Sequence, residues 1–415
     1  MSKPTLLFRG PIKTRSGYGA HSRDLLEALY QMDMFDIKID SCMWGGTPMT
    51  ALEGTPFHNW IESNIVTSMQ STPDIYIQVT VPNEFMRLGK VNIGITAGIE
   101  TTVAPKEWID GCNRMDLIIT TSKFSRDVLL STVYNENEKN TGKLVSQHKI
   151  EKPIEILFEG VDLSIYNNES KSLDIDIKED FAYLFVGHWL KGNIGQDRKD
   201  VGMLIKSFVE TFKDVEDKPA LVLKTSSATF SVRERENFRK RIETIVGDIK
   251  NPPSIYLLFG ELTNDEMNRL YNHSKIKSMV SITKGEGFGR PLLEFTMTGK
   301  PVIASNWSGH KDFLPMDKAV MVGGKLTDVD DSAVDNFILK GSKWFTANYN
   351  EFSSVLKLVK EDYNTFLEKS EQLRKENSEK FSMDNMRETF KNLLIPFTSI
   401  PKQTKLTLPK LTKVK

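Results

Sequence analysis

Two doubly wound α/β domains, followed by a C-terminal helical extension, are the fold class that this sequence predicts. Short apolar runs alternate with amphipathic stretches in both halves of the chain, which is typical of βα units and parallel sheets. The chain has 415 residues, more than one core usually fills. A polar, acidic stretch at Asn167–Asp180 separates the two halves and predicts a linker.

The first half predicts six strands with helices between them. Leu25, Leu26 and Leu29 make Ala20–Tyr30 the clearest helix, because they recur on one helical face, and another helix is expected near Ser125–Thr132. The predicted strands are Thr5–Phe8, Ile37–Ser41, Ile75–Val79, Val91–Thr96, Leu117–Thr120 and Ile154–Phe158.

The second half repeats the pattern with five strands, each followed by a helical pattern except the last. The predicted strands are Phe181–Val186, Ala220–Lys224, Ile255–Phe259, Ser278–Ile282 and Pro301–Ala304. The predicted helices are Val201–Phe212, Arg233–Val246, Asn264–Asn272 and Pro291–Thr298. We therefore divide the chain into a first domain at 1–170, a second at 171–378, and a helix with a basic tail at 379–415.

Charge and composition exclude several classes of protein. Lys plus Arg and Asp plus Glu both total 55, so no global field draws the chain onto nucleic acid or an anionic membrane. Two cysteines cannot form a disulfide scaffold, and no apolar run reaches the ~18 residues that span a bilayer. We expect a cytoplasmic protein without a transmembrane segment, in the host cytoplasm if the source is viral.

The most specific segment, Ser281–Ala304, has the pattern of a strand, a glycine-rich turn, a helix and a second strand. Gly285, Gly287 and Gly289 allow positive φ and a close approach of the backbone to a ligand. The turn and the helix start present free backbone N–H groups, which favour an anion such as a phosphate.

Two carboxylates belong to the same segment. Glu286 lies inside the glycine turn and Glu294 lies in the helix that follows it. Carboxylates beside N–H donors are suited to accept hydrogen bonds from sugar or ribose hydroxyls. The alternative is that Glu286 caps the helix and Glu294 is a solvated surface residue.

These residues resemble a known family. Gly285-Glu-Gly-Phe-Gly-Arg-Pro-Leu-Leu-Glu294 with Gly299-Lys-Pro-Val-Ile-Ala-Ser305 resembles the signature of two glutamates separated by seven residues in retaining glycosyltransferases of family 4. Residues 91–129, Phe158–Asp162 and Ser16–Gly19 resemble further motifs of their N-terminal domain. The resemblance implies the GT-B fold, with two Rossmann-like domains and a nucleotide-sugar donor site between them.

The resemblance also assigns roles to single residues. Glu286 would be a catalytic-site residue that binds the donor sugar, and Glu294 would bind the ribose. Backbone N–H groups of Gly287, Phe288 and Gly289 would lie near the sugar and diphosphate. Gly17 would let the N-terminal loop approach the diphosphate from the opposite side.

The cation that neutralises the diphosphate is left open. Arg198 and Lys199, just before a predicted helix, match the family pattern best, while His188 stands where many members have arginine. Lys224, at the end of its strand, is a further candidate or an ordinary strand-end lysine.

Glu100 is the candidate catalytic residue of the N-terminal domain. It follows a predicted strand, so it should lie at the carboxyl edge of the sheet, where ligands bind in open α/β folds. Its side chain would face the acceptor or the reacting centre, or else anchor its own loop by hydrogen bonds.

No metal site and no cofactor are predicted, with the nucleotide-sugar as co-substrate. The six histidines show no ligand spacing and the two cysteines are far apart. Preorganised cations and N–H dipoles can stabilise the departing diphosphate without a metal.

The function expected is a retaining transfer of a sugar from a nucleotide-sugar to an acceptor hydroxyl. The acceptor is unknown. The Lys-, Asn- and Ile-rich composition raises the alternative of a phage enzyme acting on modified DNA, with the tail as a DNA-gripping arm, whose lysines are Lys402, Lys405, Lys410, Lys413 and Lys415. A glycoside hydrolase and a sugar-nucleotide-binding protein without turnover are rival functions for the same fold and carboxylates.

Overall fold

The protein contains two six-stranded parallel sheets. The structure is a computed structural model and describes residues 3–55, 57–138, 140–226 and 231–398. The first sheet has the strand order β2-β1-β3-β4-β5-β8, and the second has the order β11-β10-β9-β12-β13-β14. The predicted fold class is confirmed, and all eleven predicted strands overlap strands of these two sheets.

The elements have the following bounds. The strands are β1 Thr5–Gly10, β2 Asp36–Ser41, β3 Ile75–Val79, β4 Val91–Thr96, β5 Leu117–Thr120, β6 Tyr134–Asn137, β7 Leu144–His148, β8 Ile154–Ile156, β9 Ala182–Val186, β10 Ala220–Lys224, β11 Ile255–Leu258, β12 Ile276–Ser281, β13 Val302–Ser305, β14 Val320–Val322, β15 Gly324–Asp328 and β16 Lys343–Ala347. The α-helices are α1 Gly17–Met32, α2 His58–Asn64, α3 Lys106–Asn113, α4 Lys123–Ser131, α5 Val201–Phe212, α6 Val232–Val246, α7 Asn264–Tyr271, α8 Arg290–Thr296, α9 Tyr349–Glu361, α10 Tyr363–Lys380 and α11 Met383–Leu394.

Helices cover both faces of each sheet, which explains why the central strands are apolar along most of their length. All five residues of β3 are buried, and so are four of the five in β9. In the first domain, α1 and α11 cover one face and α3 and α4 the other. In the second domain, α8 and α10 cover one face and α5 and α9 the other.

The chain crosses between the domains twice, and the two crossings are hydrogen-bonded to each other. The Val161 N–H donates to the Phe381 carbonyl at 2.8 Å, and the Met383 N–H donates to the Val161 carbonyl at 2.9 Å. The rings of Phe158 and Phe381 pack edge to face, 5.0 Å apart. The last helix, α11, then packs against α1, where Phe390 is fully buried.

Several elements lie where the sequence shows no clear pattern. The hairpins β6–β7 and β15–β16 and the short helices α2 and α3 are among them. The boundaries at 170 and 378 stay predictions; the segment between β8 and β9, which includes Asn167–Asp180, contains neither a helix nor a strand. The basic tail with its five lysines lies outside the described residues. Within the described ranges, every helix is too short or too polar to cross a membrane.

Candidate active site

The candidate site lies where the strand order of the second sheet reverses. From β9 the chain continues to β10 and β11 on one side of the sheet, and from β12 it continues to β13 and β14 on the other. The crevice beyond the carboxyl ends of β9 and β12 is therefore the usual ligand position of open α/β sheets. The loop after β9 carries Arg198 and Lys199, and the loop after β12 carries Glu286. Two stretches that are 87 residues apart in sequence therefore meet at one point.

Arg198 and Lys199 both contact the Glu286 carboxylate. Lys199 Nζ forms an ion pair with Glu286 Oε1, and Arg198 Nη1 lies 3.6 Å from Glu286 Oε2. Arg198 also donates to the Gly285 carbonyl at 2.9 Å. The three side chains expose between 11% and 13% of their surface, so the charges interact in a largely desolvated cleft.

This arrangement keeps Glu286 ionised. Burial raises the pKa of the Glu286 carboxyl, but the charges of Lys199 and Arg198 and the Lys199 hydrogen bond outweigh it and lower the pKa to about 2. A carboxylate that is always charged accepts hydrogen bonds and donates none, which suits it to sugar hydroxyls.

Glu100 reaches the same cluster from the first domain. It follows β4, as predicted, and its Oε1 lies 3.3 Å from Arg198 Nη1. Burial raises the pKa of the Glu100 carboxyl, and the charge of Arg198 offsets only part of this effect. Arg198 therefore contacts one carboxylate from each domain, while Lys199 contacts Glu286.

Two of the three glycines in the turn are required for a reason other than positive φ. Of the three, Gly289 alone has a positive φ, +99°. A Cβ at Gly285 would overlap the carbonyl oxygen of Glu100, and one at Gly287 would overlap that of Ala97. The turn is glycine-rich because the backbone of the first domain packs directly against it.

Serine hydroxyls of the first domain hold this contact. Ser122 Oγ donates to the Gly287 carbonyl at 2.5 Å, and Ser125 Oγ donates to it at 3.3 Å. Within the described residues the N–H groups of Gly287, Phe288 and Gly289 donate to no protein atom. Their role in binding the sugar and diphosphate stays a prediction.

Glu294 is buried, so the solvated-surface alternative is wrong. Arg290 Nε lies 2.8 Å from Glu294 Oε1, and the Tyr271 hydroxyl lies 3.4 Å from Oε2. Arg290 also forms an ion pair with Asp24 on α1 and lies 3.8 Å from Glu159. The helix-cap alternative for Glu286 is wrong too, because no side chain caps α8.

The remaining donor-site predictions have mixed surroundings. The Phe288 ring is buried in the core against Phe313, which leaves only its backbone for a ligand. Gly17 is exposed at the start of α1 with open space where a Cβ would be. His188 is exposed and contacts Ser226. Arg198 and Lys199 are the two cations that form ion pairs with Glu286.

Lys224 stands at the carboxyl end of β10. Its ammonium group donates to the Gly260 carbonyl at 2.6 Å, and burial lowers its pKa. The strand-end role therefore has direct support in a contact, while the role in donor binding stays a prediction.

Ser308 and His310 also lie at the site and, like Arg290 and Ser122, were not found by sequence reasoning. Ser308 has φ +76° and its hydroxyl accepts a 2.9 Å hydrogen bond from the Glu286 N–H. His310 is fully buried near Glu286, with Nε2 2.6 Å from the Ser305 carbonyl. A non-glycine residue with positive φ is uncommon, but no local sequence pattern signals it.

The described ranges contain no group of three or more His, Cys, Asp or Glu side chains arranged to hold a metal ion. Metal-independence of the reaction stays a prediction.

Comparison with known proteins gives the class. Residues 197–332 match the family Glycosyl transferases group 1. That segment contains Arg198, Lys199, Glu286 and Glu294, the cluster that the fold brings together. The chain therefore carries a group 1 glycosyltransferase domain on a GT-B fold, and it is a glycosyltransferase. No curated protein sequence matches it.

Solved structures share the fold over nearly the whole chain. A glycosyltransferase from Rickettsia africae is 15% identical with a TM-score of 0.62, and the match covers 96% of this chain and 100% of that one. Anabaena HepE, solved with UDP and glucose, is 11% identical with a TM-score of 0.61, covering 95% and 100%. Sucrose-phosphate synthase from Thermosynechococcus elongatus is 13% identical with a TM-score of 0.60, covering 95% and 98%.

Proposed function

We propose that the protein transfers a sugar from a nucleoside diphosphate donor to an acceptor hydroxyl with retention of configuration and without a metal. The observation that carries the proposal is the placement of Arg198 and Lys199 against Glu286 at the point where the strand order reverses. HepE, which shares the fold, was solved with UDP-glucose, and this supports UDP as the first nucleotide to test.

The charges of the site fit the departure of a diphosphate. As the bond between the anomeric carbon and the diphosphate oxygen breaks, negative charge grows on the leaving group. Arg198 and Lys199 are already desolvated and held in place, so they would stabilise that charge without reorganisation. The free N–H groups of residues 287–289 would add dipoles on the same side.

Each carboxylate then has a separate role. Glu286, ionised at every physiological pH, would accept hydrogen bonds from donor sugar hydroxyls. Glu294 would bind the ribose. On nucleotide binding, hydrogen bonds from the ribose hydroxyls would replace contacts that Glu294 makes with Arg290 and Tyr271. Glu100 would face the acceptor. Retention is proposed from the resemblance of residues 285–305 to retaining enzymes.

The test is a screen of UDP-sugars and other nucleotide-sugars for release of the nucleoside diphosphate in the presence of acceptor mixtures. Glu286→Gln should reduce transfer by at least a factor of about 100 while the melting temperature changes little. UDP binding should survive, because the amide releases Lys199 and Arg198 from their carboxylate partner. Near-normal turnover of Glu286→Gln would contradict the assignment, and NMR of the anomeric proton of the product decides retention.

A modified-DNA acceptor is a second candidate, carried by the five lysines between 402 and 415 and the absence of acids there. If the tail grips DNA, affinity in a gel shift should fall steeply between about 50 and 200 mM salt, and a chain ending at 398 should lose it. Salt-independent or absent binding would exclude this acceptor.

A further inference from the structure

The turn that carries Arg198 and Lys199 also carries two acidic side chains that are buried inside the second domain. Asp197 and Asp200 flank the two cations, and both aspartates are fully buried in the second domain. Asp197 Oδ2 accepts from the Val201 N–H at 3.2 Å. The turn therefore directs its two cations to the cleft and its two acids into the protein.

A buried lysine meets one of these acids. Lys284 is fully buried, and its Nζ lies 3.2 Å from Asp200 Oδ2 and 3.1 Å from Thr346 Oγ1. The Tyr349 hydroxyl donates to the same Asp200 oxygen at 2.8 Å. A buried carboxylate with two such partners fixes the geometry around it, because breaking either contact leaves a desolvated charge.

The backbone of Lys284 connects the same points. Its N–H donates to the Arg198 carbonyl at 2.7 Å, and its carbonyl accepts from the Phe345 N–H at 3.0 Å. Since Lys284 stands two residues before Glu286, one residue contacts the turn of the cations and also begins the turn of the carboxylate.

Asp200 also has a conformation that needs support. Its φ is +54° and its ψ is +34°, in the left-handed region that residues other than glycine rarely adopt. Such a conformation persists only when its surroundings determine it. Lys284 and Tyr349 supply the contacts that do so.

We propose that Lys284, Asp200 and Tyr349 form a positioning network that holds the 197–200 turn, so that Arg198 and Lys199 face the diphosphate of the donor. The network itself does not touch the ligand. Its effect on donor binding rests on the proposed function, while its effect on the turn does not.

The experiment compares two matched Tyr→Phe variants of the full chain. Tyr349→Phe removes the hydroxyl on Asp200. Tyr183→Phe removes another hydroxyl that donates to a carbonyl of α9, that of Leu356, away from the turn. Both variants lose one hydrogen bond in the same domain, so both should lose some thermal stability.

Amide hydrogen exchange and UDP titration then separate the two roles. We expect faster exchange at residues 198–201 and 284 and UDP affinity weakened about ten-fold in Tyr349→Phe, with neither change in Tyr183→Phe. Lys284→Met should give a larger change in the same direction. If Lys284→Met does not fold, Tyr349→Phe and Asp200→Asn decide the question.

Unchanged exchange at the turn in Tyr349→Phe and Asp200→Asn would overturn the network. Wild-type protein and Arg198→Ala are titrated alongside. If the wild type binds no nucleoside diphosphate, the proposed function fails and the exchange data still decide the network. If wild type binds UDP and Arg198→Ala weakens it, but the network variants bind as wild type does, the network has no part in donor binding.

Discussion

Arg198 Nη1, from the second domain, lies 3.3 Å from Glu100 Oε1, from the first. The same guanidinium contacts Glu286, so the cation proposed to meet the donor is shared by one carboxylate of each domain. Binding of a diphosphate would change the partners of Arg198 on both sides of the cleft.

Glu100→Gln keeps the size of the side chain and removes its charge. If Glu100 faces the reacting centre, kcat should fall at least about ten-fold, while UDP affinity should stay the same or rise because Arg198 loses a competing carboxylate. The control is Glu107→Gln, at an exposed position of α3. Steady-state transfer assays and calorimetric titration supply the two numbers, and unchanged transfer kinetics would make Glu100 a loop anchor.

Gly285→Ala should separate the domains. A Cβ there overlaps the Glu100 carbonyl, so backbone must shift, at a cost of about 1–3 kcal/mol. Small-angle scattering should show a larger radius of gyration, and transfer should fall at least about ten-fold. Gly46→Ala is the control, since nothing lies near its Cβ. Equal behaviour of the two variants would argue against the contact.

Glu159→Gln should stabilise the protein at alkaline pH. Burial raises the pKa of the Glu159 carboxyl from 4.5 to about 7, with Arg290 opposing the shift and Asp24 and Glu294 adding to it. A raised acid pKa contributes stability that is complete below pH 4.5 and is lost as the pH rises through about 7. Glutamine resembles the protonated form and has no such loss.

The stabilisation by Glu159→Gln should therefore reach ~3 kcal/mol at about pH 8 and vanish near about pH 4. Denaturant unfolding at the two pH values measures it. A difference between variant and wild type that is the same at both values would show that Glu159 does not titrate in this range.

Arg290→Met should be strongly destabilising. It leaves the buried Glu159 and Glu294, and the partly buried Asp24, without their shared cation, which costs about 3–5 kcal/mol. Arg239→Met, at an exposed arginine that pairs with Glu236 and Glu243, should cost less than about 1 kcal/mol. Similar melting temperatures for the two variants would mean that the buried cluster adds nothing to the domain contact.

The sequence predicted the sheets well because apolar runs and glycine punctuation are local signals. Thr5–Phe8 and Ile75–Val79 lie within strands of the structure, and Glu100 and Glu286 follow β4 and β12 as expected. The family resemblance points to Arg198 and Lys199, just before a predicted helix, and the structure places both against Glu286.

What the sequence could not predict depends on contacts between distant segments. Position 285 needs glycine because the carbonyl of Glu100, far earlier in the chain, leaves no space for a Cβ. Ser308 belongs to the site because its hydroxyl accepts a hydrogen bond from the Glu286 N–H. Lysine is usually exposed to solvent, but Lys284 is fully buried, where its ammonium group contacts Asp200 and Thr346. No period or motif contains such information.

The position of α11 has a consequence for how the chain is made. Phe390 and Leu394 complete the apolar layer over Leu25 and Leu29 of α1, and both belong to the end of the described chain. While a ribosome makes the whole second domain, that face of α1 has no cover. The first domain is synthesised before the second and completed after it, and nascent chains that end before Phe390 should expose an apolar face that chaperones bind.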